Sequence, residues 1–202
     1  MEILNMLISG LLQIVLFTII PFVWWLFRIR KRESFFNWIG VKPIIIKNKR
    51  KYIHITITTF ILMILPLFIT ILFMDTAIMA TSQFLGRGSE VIVPAIIYSF
   101  LQTGLSEEVF FRGFLAKRLI ARIGFSSGNV IQGLLFGLLH GAIFISFTGW
   151  KMAFIIVVVT GLAGWLMGYI NEKHSGGSII SSWILHSFAN LVAFIAAMYK
   201  LF

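Results

Sequence analysis

Long apolar stretches dominate this sequence, and short polar or basic segments separate them. Each stretch is long enough to cross a hydrocarbon core about 30 Å thick, which takes roughly 20 residues of α-helix at 1.5 Å per residue. The pattern predicts an all-α fold, a polytopic bundle of about six transmembrane helices that forms a single domain over residues 1–202. The predicted spans are residues 3–27, 52–74, 91–111, 129–148, 152–170 and 178–199.

Two further features complete the predicted architecture. The segment from Ser34 to Ile46 is aromatic and apolar but short, contains Pro43 and lies between two basic clusters. We therefore expect an interfacial helix there rather than a span. The third span continues past its two glutamates to Lys117 without a proline, so it is expected to run on as a partly buried helix.

Glycine recurs on one face of the fourth span and of the fifth. Small residues at such intervals let two membrane helices approach closely, although lipid gives them little hydrophobic driving force to associate. The spacing predicts close helix contacts for both spans. The glycines are Gly133, Gly137 and Gly141 in the fourth span and Gly161, Gly164 and Gly168 in the fifth.

The composition agrees with a membrane protein and excludes other classes. Hydrophobic residues make up 59% of the chain, charged residues 12%, and the mean hydropathy of +0.97 is far above that of a soluble domain. There is no cysteine, which excludes disulfides and cysteine-ligated metals. The first apolar stretch is too long for the core of a signal peptide and leads directly into basic residues, so we interpret it as an uncleaved anchor.

The net charge of +10 reflects membrane topology rather than binding of nucleic acid. Six spans put both termini on one side, and 14 of the 17 Lys and Arg residues then lie on the opposite side. Only Arg87, Lys151 and Lys200 remain on the side of the termini. Because basic loops face the cytoplasm, the sequence predicts a multi-pass protein of the cell membrane with both termini outside.

Four ionisable side chains within the predicted spans are candidates for chemistry, because an ionisable group at membrane depth is costly unless it is paired or hydrated. Glu107 and Glu108 lie near the inner end of the third span, His140 lies in the fourth and His186 in the sixth. By helical rise the histidines are roughly 12 to 17 Å from the cytoplasmic side. A site formed by these residues is expected to open toward the cytoplasm.

The two adjacent glutamates point about 100° apart on a helix and therefore cannot both face one pocket. Glu108 precedes Arg112 by four residues, which is the favourable spacing and order for an ion pair. Glu107 lacks such a partner. It shares a helix face with Thr103 and Gly104, small residues that we expect to leave room for a water or a substrate.

His186 and Asn190 are four residues apart, so they share a helix face and suit the binding of an oxyanion. Phe136 precedes His140 by one turn. Each residue also has a structural explanation, since histidine and asparagine often join membrane helices by hydrogen bonds. A carboxylate without a local partner, two histidines and an asparagine at similar depth on three helices nevertheless favour a catalytic site.

With these residues the sequence resembles the CPBP family of CAAX-processing and bacteriocin-processing or immunity proteins, also called the Abi family. The stretch from Ser106 to Asn190 carries three motifs in the family's order. These are EExxxR at Glu107, Glu108 and Arg112, FxxxH at Phe136 and His140, and HxxxN at His186 and Asn190. Each motif is weak alone, but the three in order on a polytopic chain are specific.

The resemblance implies an intramembrane endopeptidase that uses water activated by a glutamate. Carried over to this chain, Glu107 is the base and His140 is its partner on the water. His186 and Asn190 are the donors to the oxyanion. Glu108 and Arg112 give structural support. The chain is shorter than the eukaryotic prenyl-protein proteases, which puts in doubt a portal for a lipidated substrate.

Three alternatives remain open from the sequence. A zinc metalloprotease would use His140, His186 and Glu107 as ligands, although no HExxH motif is present and Asn190 is better explained as a donor. A non-catalytic immunity or scaffold protein would bind a partner in the same cavity. A proton-coupled transporter would use the same ionisable groups.

The expected partners are membrane lipid and a peptide or protein substrate, with no cofactor and no nucleic acid. The identity of the substrate, whether it is lipidated, and whether the chain forms a homo-oligomer are not predicted. The bias toward Ile, Phe and Lys is typical of an AT-rich bacterial genome.

Overall fold

The computed structural model describes residues 2–73 and 80–201, and this part of the chain is helical with no strand. We number the helices in chain order. They are α1 (Glu2–Arg28), α2 (Phe35–Ile39), α3 (Lys49–Phe73), α4 (residues 92–123), α5 (residues 125–148), α6 (residues 150–174) and α7 (Ile180–Met198), with two 3₁₀ turns, Ala80–Phe84 and Gly88–Val91, before α4.

Helix α4 is continuous but not uniform. Two stretches of π-helix, Tyr98–Leu105 and Val109–Ala116, alternate with the α-helical segments Ile92–Ile97, Ser106–Glu108 and Lys117–Ile123. In a π-helix the backbone hydrogen bonds run from residue i to i+5, and such turns are rare and frequent at functional sites. The sequence predicted an ordinary helix here.

Helices α5 and α6 form an antiparallel hairpin. The helical run Phe125–Tyr169 is broken at Gly149, whose φ of 73° and ψ of 170° are not helical, and it ends in the π-helical turn Ile170–His174. A Cβ atom on Gly133 would lie 2.8 Å from the carbonyl oxygen of Gly161. One on Gly141 would lie 3.2 Å from the carbonyl oxygen of Ala153. The predicted close approach at glycine faces is therefore confirmed.

The short helix α2 covers one end of α4. Ser34 caps it by accepting a hydrogen bond from the Asn37 amide at 3.3 Å, and Gly40 ends it in the left-handed region with a φ of 87°. Trp38 of α2 packs against Phe114 of α4. An additional short helix in the segment from Ser34 to Ile46 was predicted, and its place at the membrane interface stays a prediction.

The bundle has two distinct ends. At the terminal end, defined by the start of α1, residues 80–91 and residues 197–201, Arg87 forms an ion pair with Glu2 at 2.6 Å and the Gly86 amide donates to the Ala197 carbonyl. At the basic end, defined by residues 40–51, 117–122 and 173–179, the Ile179 amide donates to the Gly40 carbonyl. Both termini thus lie at one end, opposite most of the basic residues.

Lys117 anchors the basic end. Its Nζ donates to Glu172 Oε1 and to the carbonyl oxygen of Gly177, both at 2.7 Å. Burial lowers the pKa of Lys117, and the negative charge of Glu172 opposes that shift. The contact joins α4 to the loop before α7 and holds the start of α7 against α4.

Three helices among the described residues are long and apolar enough to cross a membrane, Glu2–Arg28, Phe125–His174 and Ile180–Met198. The second comprises 50 residues and contains both arms of the α5–α6 hairpin. The last residue of the predicted span 52–74 lies outside the described residues. The chain is therefore an all-helical protein with apolar helices that fit a membrane, and the number of six spans stays a prediction.

Candidate active site

Helices α4 and α7 run antiparallel and bring the predicted residues together. Asn190 Nδ2 donates to Thr103 Oγ1 at 2.9 Å, and one turn further along, Glu107 Oε2 lies 3.9 Å from His186 Nε2. Because both pairs lie four residues apart on each helix, the two helices match turn by turn. The side chains of Glu107, His186 and Asn190 thereby face a common region.

Glu108 is fully buried and has several partners. Its Oε1 lies 3.0 Å from His186 Nδ1 and 3.1 Å from Arg112 Nη1, and its Oε2 accepts a hydrogen bond from Ser182 Oγ. The predicted pair of Glu108 with Arg112 is present. The contacts with His186 and Ser182 were not predicted from the sequence.

The guanidinium of Arg112 is buried among sulfur, aromatic and glycine neighbours. Its Cζ lies 4.0 Å from the centroid of the Phe136 ring, and Nη2 is 3.9 Å from Met167 Sδ. A Cβ atom on Gly164 would come within 3.3 Å of Nη2. Glu108 is the ion-pair partner of Arg112 among the described residues, so each group compensates the charge of the other in a buried site.

Ser182 and Asn171 extend this network to α6. Asn171 Nδ2 donates to Ser182 Oγ at 2.7 Å, and the Ser182 amide donates to Asn171 Oδ1 at 3.3 Å. Ser182 precedes His186 by one turn on α7, so helix spacing places both on the face that meets Glu108. That spacing was the one sequence signal that could have identified Ser182.

The hydrogen bond to Glu108 fixes the tautomer of His186. An ionised carboxylate can only accept, so Nδ1 carries the hydrogen that it donates to Glu108. In the neutral ring Nε2 is then an acceptor, and it faces Glu107. Nε2 can donate only when the ring is protonated to imidazolium.

Glu107 lies in a different environment from its neighbour. Its side chain is 15% exposed, and Oε2 is buried without a hydrogen-bond partner among the described residues. Buried polar atoms are normally satisfied, by protein or by internal water. An unpaired carboxylate oxygen beside an imidazole nitrogen is therefore a position where a water or a substrate group is expected.

His140 is held by its own helix. Its Nδ1 lies 2.9 Å from the carbonyl oxygen of Phe136, which can only accept, so Nδ1 donates, and Nε2 has no hydrogen-bond partner among the described residues. The Phe136 ring is 4.4 Å from the His140 ring and 6.0 Å from the His186 ring. The Phe136 ring thus packs against both the His140 ring and the Arg112 guanidinium.

The surroundings of Thr103 and Gly104 differ from the prediction. Thr103 Oγ1 accepts from Asn190 and donates to the Tyr98 carbonyl at 3.2 Å. A Cβ atom on Gly104 would overlap Ser187 Oγ, and it would lie 2.5 Å from the Ser99 carbonyl oxygen. The prediction that Gly104 leaves room for a ligand is wrong, because α7 fills the space.

No group of three His, Cys, Asp or Glu side chains that could hold one metal ion is found among residues 2–73 and 80–201. His54 and His174, which lie outside the predicted site, are at the basic end. His54 is exposed, and His174 packs its ring 5.0 Å from Tyr169.

Comparison with known proteins identifies the family. A family model described as type II CAAX prenyl endopeptidase Rce1-like matches residues 89–192, just over half of the chain. The matched region contains all three sequence motifs. No curated protein and no solved structure matches the chain. The chain therefore belongs to the Rce1-like family of type II CAAX prenyl endopeptidases, which agrees with the resemblance of its motifs to the CAAX-processing proteases.

Proposed function

We propose that this chain is an intramembrane endopeptidase that hydrolyses a peptide bond with a water molecule activated by Glu107. Family membership implies a protease. The observation that carries the residue assignment is the contrast between two adjacent carboxylates. Glu108 is fully bonded, whereas Glu107 keeps a buried oxygen without a partner beside His186.

In the proposed reaction the water gives a proton to Glu107 while its oxygen adds to the carbonyl carbon of the substrate. Nε2 of His140, which is free to accept, orients the water. Glu107 then passes the proton to the leaving nitrogen as the C–N bond breaks. The products are a carboxylic acid and an amine, and Glu107 is again a carboxylate.

The proposed oxyanion donors are Asn190 and His186. Asn190 uses one amide hydrogen on Thr103 and keeps the second. His186 Nδ1 is held by Glu108, and its Nε2, which faces Glu107, donates in the proposed reaction as imidazolium. Glu108 thus acts through His186, in addition to its structural pair with Arg112.

The experiment that tests this function compares membrane peptides from cells with and without the gene. A peptide that disappears in the presence of the chain is then incubated with pure protein in nanodiscs and ¹⁸O-labelled water. Incorporation of one ¹⁸O into the new carboxyl terminus is expected. A chain that binds such a peptide without cleaving it would instead support the non-catalytic scaffold.

A zinc-dependent reaction is the second candidate. The observation in its favour is that both histidines donate from Nδ1 and keep Nε2 free, an arrangement that is typical of zinc ligands. We propose that the reaction needs no metal. Pure active protein should hold no stoichiometric zinc and survive chelation, whereas activity lost on zinc removal and restored on its return would favour the metalloprotease.

We also propose the topology that the charge distribution predicts. The single domain crosses a bacterial cell membrane six times, with the terminal end outside and the site open toward the cytoplasm. A reporter fused after Phe202 tests this orientation. Activity of a reporter that works only in the cytoplasm would contradict it.

A further inference from the structure

A polar pocket lies at the terminal end of the bundle, between α1, the 3₁₀ turn before α4, and α4 itself. Its volume is about 420 Å³. The first turns of α1 form one wall, and two residues of the first π-helical stretch form another. The polar lining residues are Glu2, Asn5, Ser9, Gln83, Tyr98 and Gln102.

Apart from Arg112 Nε and Nη1 beside Glu108, four buried polar atoms near this pocket and the site have no hydrogen-bond partner among the described residues. They are Ser99 Oγ, Gln102 Oε1, Glu107 Oε2 and Ser187 Oγ. In a helix bundle surrounded by lipid, an unsatisfied polar group costs several kcal/mol, so such atoms normally bind internal water. Four of them around one helix indicate a hydrated interior on this side of α4.

These atoms form a sequence of positions from the pocket to Glu107. Tyr98 and Gln102 line the pocket. Ser99 follows Tyr98 on α4, and Ser187 of α7 lies beside the close contact at Gly104, further toward Glu107. Thr103 Oγ1 donates to the Tyr98 carbonyl at 3.2 Å, and Glu107 follows Thr103 by one turn of α4.

We propose that this pocket is the water entrance of the active site, so that the water consumed by hydrolysis reaches Glu107 from the terminal end of the bundle. The proposal rests on the proposed function. Each turnover consumes one water, and a peptide bound in the opening toward the cytoplasm would block its replacement from that side, so a second polar path between the apolar helices is needed. The peptide then approaches by a separate route, and it need not leave before the water is replaced.

The absence of cysteine from the sequence allows a direct test. Single cysteines are introduced at Gln102 on the pocket wall and at Ser187 beside Gly104, with Ile96→Cys as the control on the exposed face of the same helix. The probe is a small membrane-impermeant thiol reagent applied to one face of sealed vesicles. Asn5→Cys at the terminal end and Lys49→Cys at the basic end show which end the reagent reaches.

Thiol reagents attack the thiolate, which forms in water and is suppressed in an apolar environment. Gln102→Cys and Ser187→Cys should therefore react at least about tenfold faster than Ile96→Cys when the reagent reaches the terminal end, since one unit of pKa changes the thiolate fraction about tenfold. Reaction of Gln102→Cys alone would mean a closed pocket and overturn the proposal. Reaction of Ser187→Cys only from the basic end would overturn it as well.

A second variant tests the path by filling part of the pocket. Met6→Trp places a large side chain in the pocket wall, and we expect loss of the labelling of Ser187→Cys from the terminal end. Unchanged labelling in a folded Met6→Trp protein would contradict the path. Labelling does not depend on activity. An inactive protein that is labelled from the terminal end contradicts the proposed function alone. An active protein that is not labelled from the terminal end contradicts the water entrance alone.

Discussion

Glu107 and Glu108 are neighbours on one helix, but their surroundings differ in hydrogen bonding and in exposure. Glu108 lies in a buried cluster where His186, Arg112 and Ser182 each contact its carboxylate. Glu107 has a buried carboxylate oxygen that no described residue satisfies. The contacts of Glu108 hold it in one position, whereas the unpaired oxygen of Glu107 suits the transfer of a proton from water that we propose.

The largest expected effect comes from removing the unpaired carboxylate of Glu107. Glu107→Gln keeps the volume of the side chain but removes the base, so peptide hydrolysis should fall by about 10²–10⁴-fold while the melting temperature changes little. Glu90→Gln, which neutralises an exposed carboxylate at the terminal end, is the matched control. Both are measured as the rate of cleavage and the thermal unfolding in the same nanodisc. Normal cleavage by Glu107→Gln would remove the proposed base.

The next largest effect comes from disrupting the buried cluster around Glu108. Glu108→Gln leaves Arg112 as a buried charge without its partner, and loss of one member of a buried pair costs about 3–5 kcal/mol of folding stability. The loss should be visible as a lower melting temperature and a lower yield, with activity falling as the protein unfolds. A stable but inactive Glu108→Gln beside an active Glu107→Gln would show that the two roles are reversed.

The oxyanion donor gives a smaller effect on rate. Asn190→Ala should lower kcat by roughly 100-fold to 1000-fold, the usual loss for one donor. Thr103→Val is the control, because it keeps the Asn190 amide but removes the oxygen to which it donates. We expect a smaller loss in that variant, measured as kcat in a peptide-cleavage assay. A full rate in Asn190→Ala would leave His186 as the only proposed donor.

The smallest expected effect tests the role of Ser182 in the buried cluster around Glu108. Ser182→Ala removes the donor to Glu108 Oε2 and should cost about 1–3 kcal/mol of stability, because His186 and Arg112 contact the other oxygen, Oε1. Ser181→Ala removes a neighbouring hydroxyl that contacts Tyr52 and Ser175 instead. The two variants should unfold at similar temperatures. A change in the pH dependence of cleavage is expected in Ser182→Ala alone, and its absence would mean that Ser182 does not influence His186 through Glu108.

Much of the architecture was predictable because it depends on local pattern. Apolar length predicted the helices, glycine spacing predicted a close helix contact for α5 and for α6, and the i, i+4 spacing predicted the pair of Glu108 with Arg112. The contact of Glu108 with His186 was not predictable, because it joins residues 78 positions apart. Nothing in the local sequence tells whether a buried carboxylate meets an arginine alone or an imidazole as well.

The room around Glu107 was mispredicted for a similar reason. A small residue in a sequence marks either an open space or a close packing contact, and the choice depends on the neighbouring helix. At Gly104 the neighbour is Ser187 of α7, which occupies the space. The π-helical stretches belong to the same class of feature, since the composition of Tyr98–Leu105 does not differ from that of an ordinary apolar helix.

The π-helical stretch before Glu107 determines the directions in which Glu107 and Glu108 point around α4. Relative to an α-helix, a π turn behaves like one inserted residue, and one residue corresponds to about 100° of rotation. Glu107 and Glu108 are separated by that same angle. If the same eight residues of Tyr98–Leu105 wound as an α-helix, the following segment would turn by about one position, and Glu107 would take the direction that Glu108 has in the structure. The winding at this point is therefore as strict a requirement as the identity of the glutamates themselves.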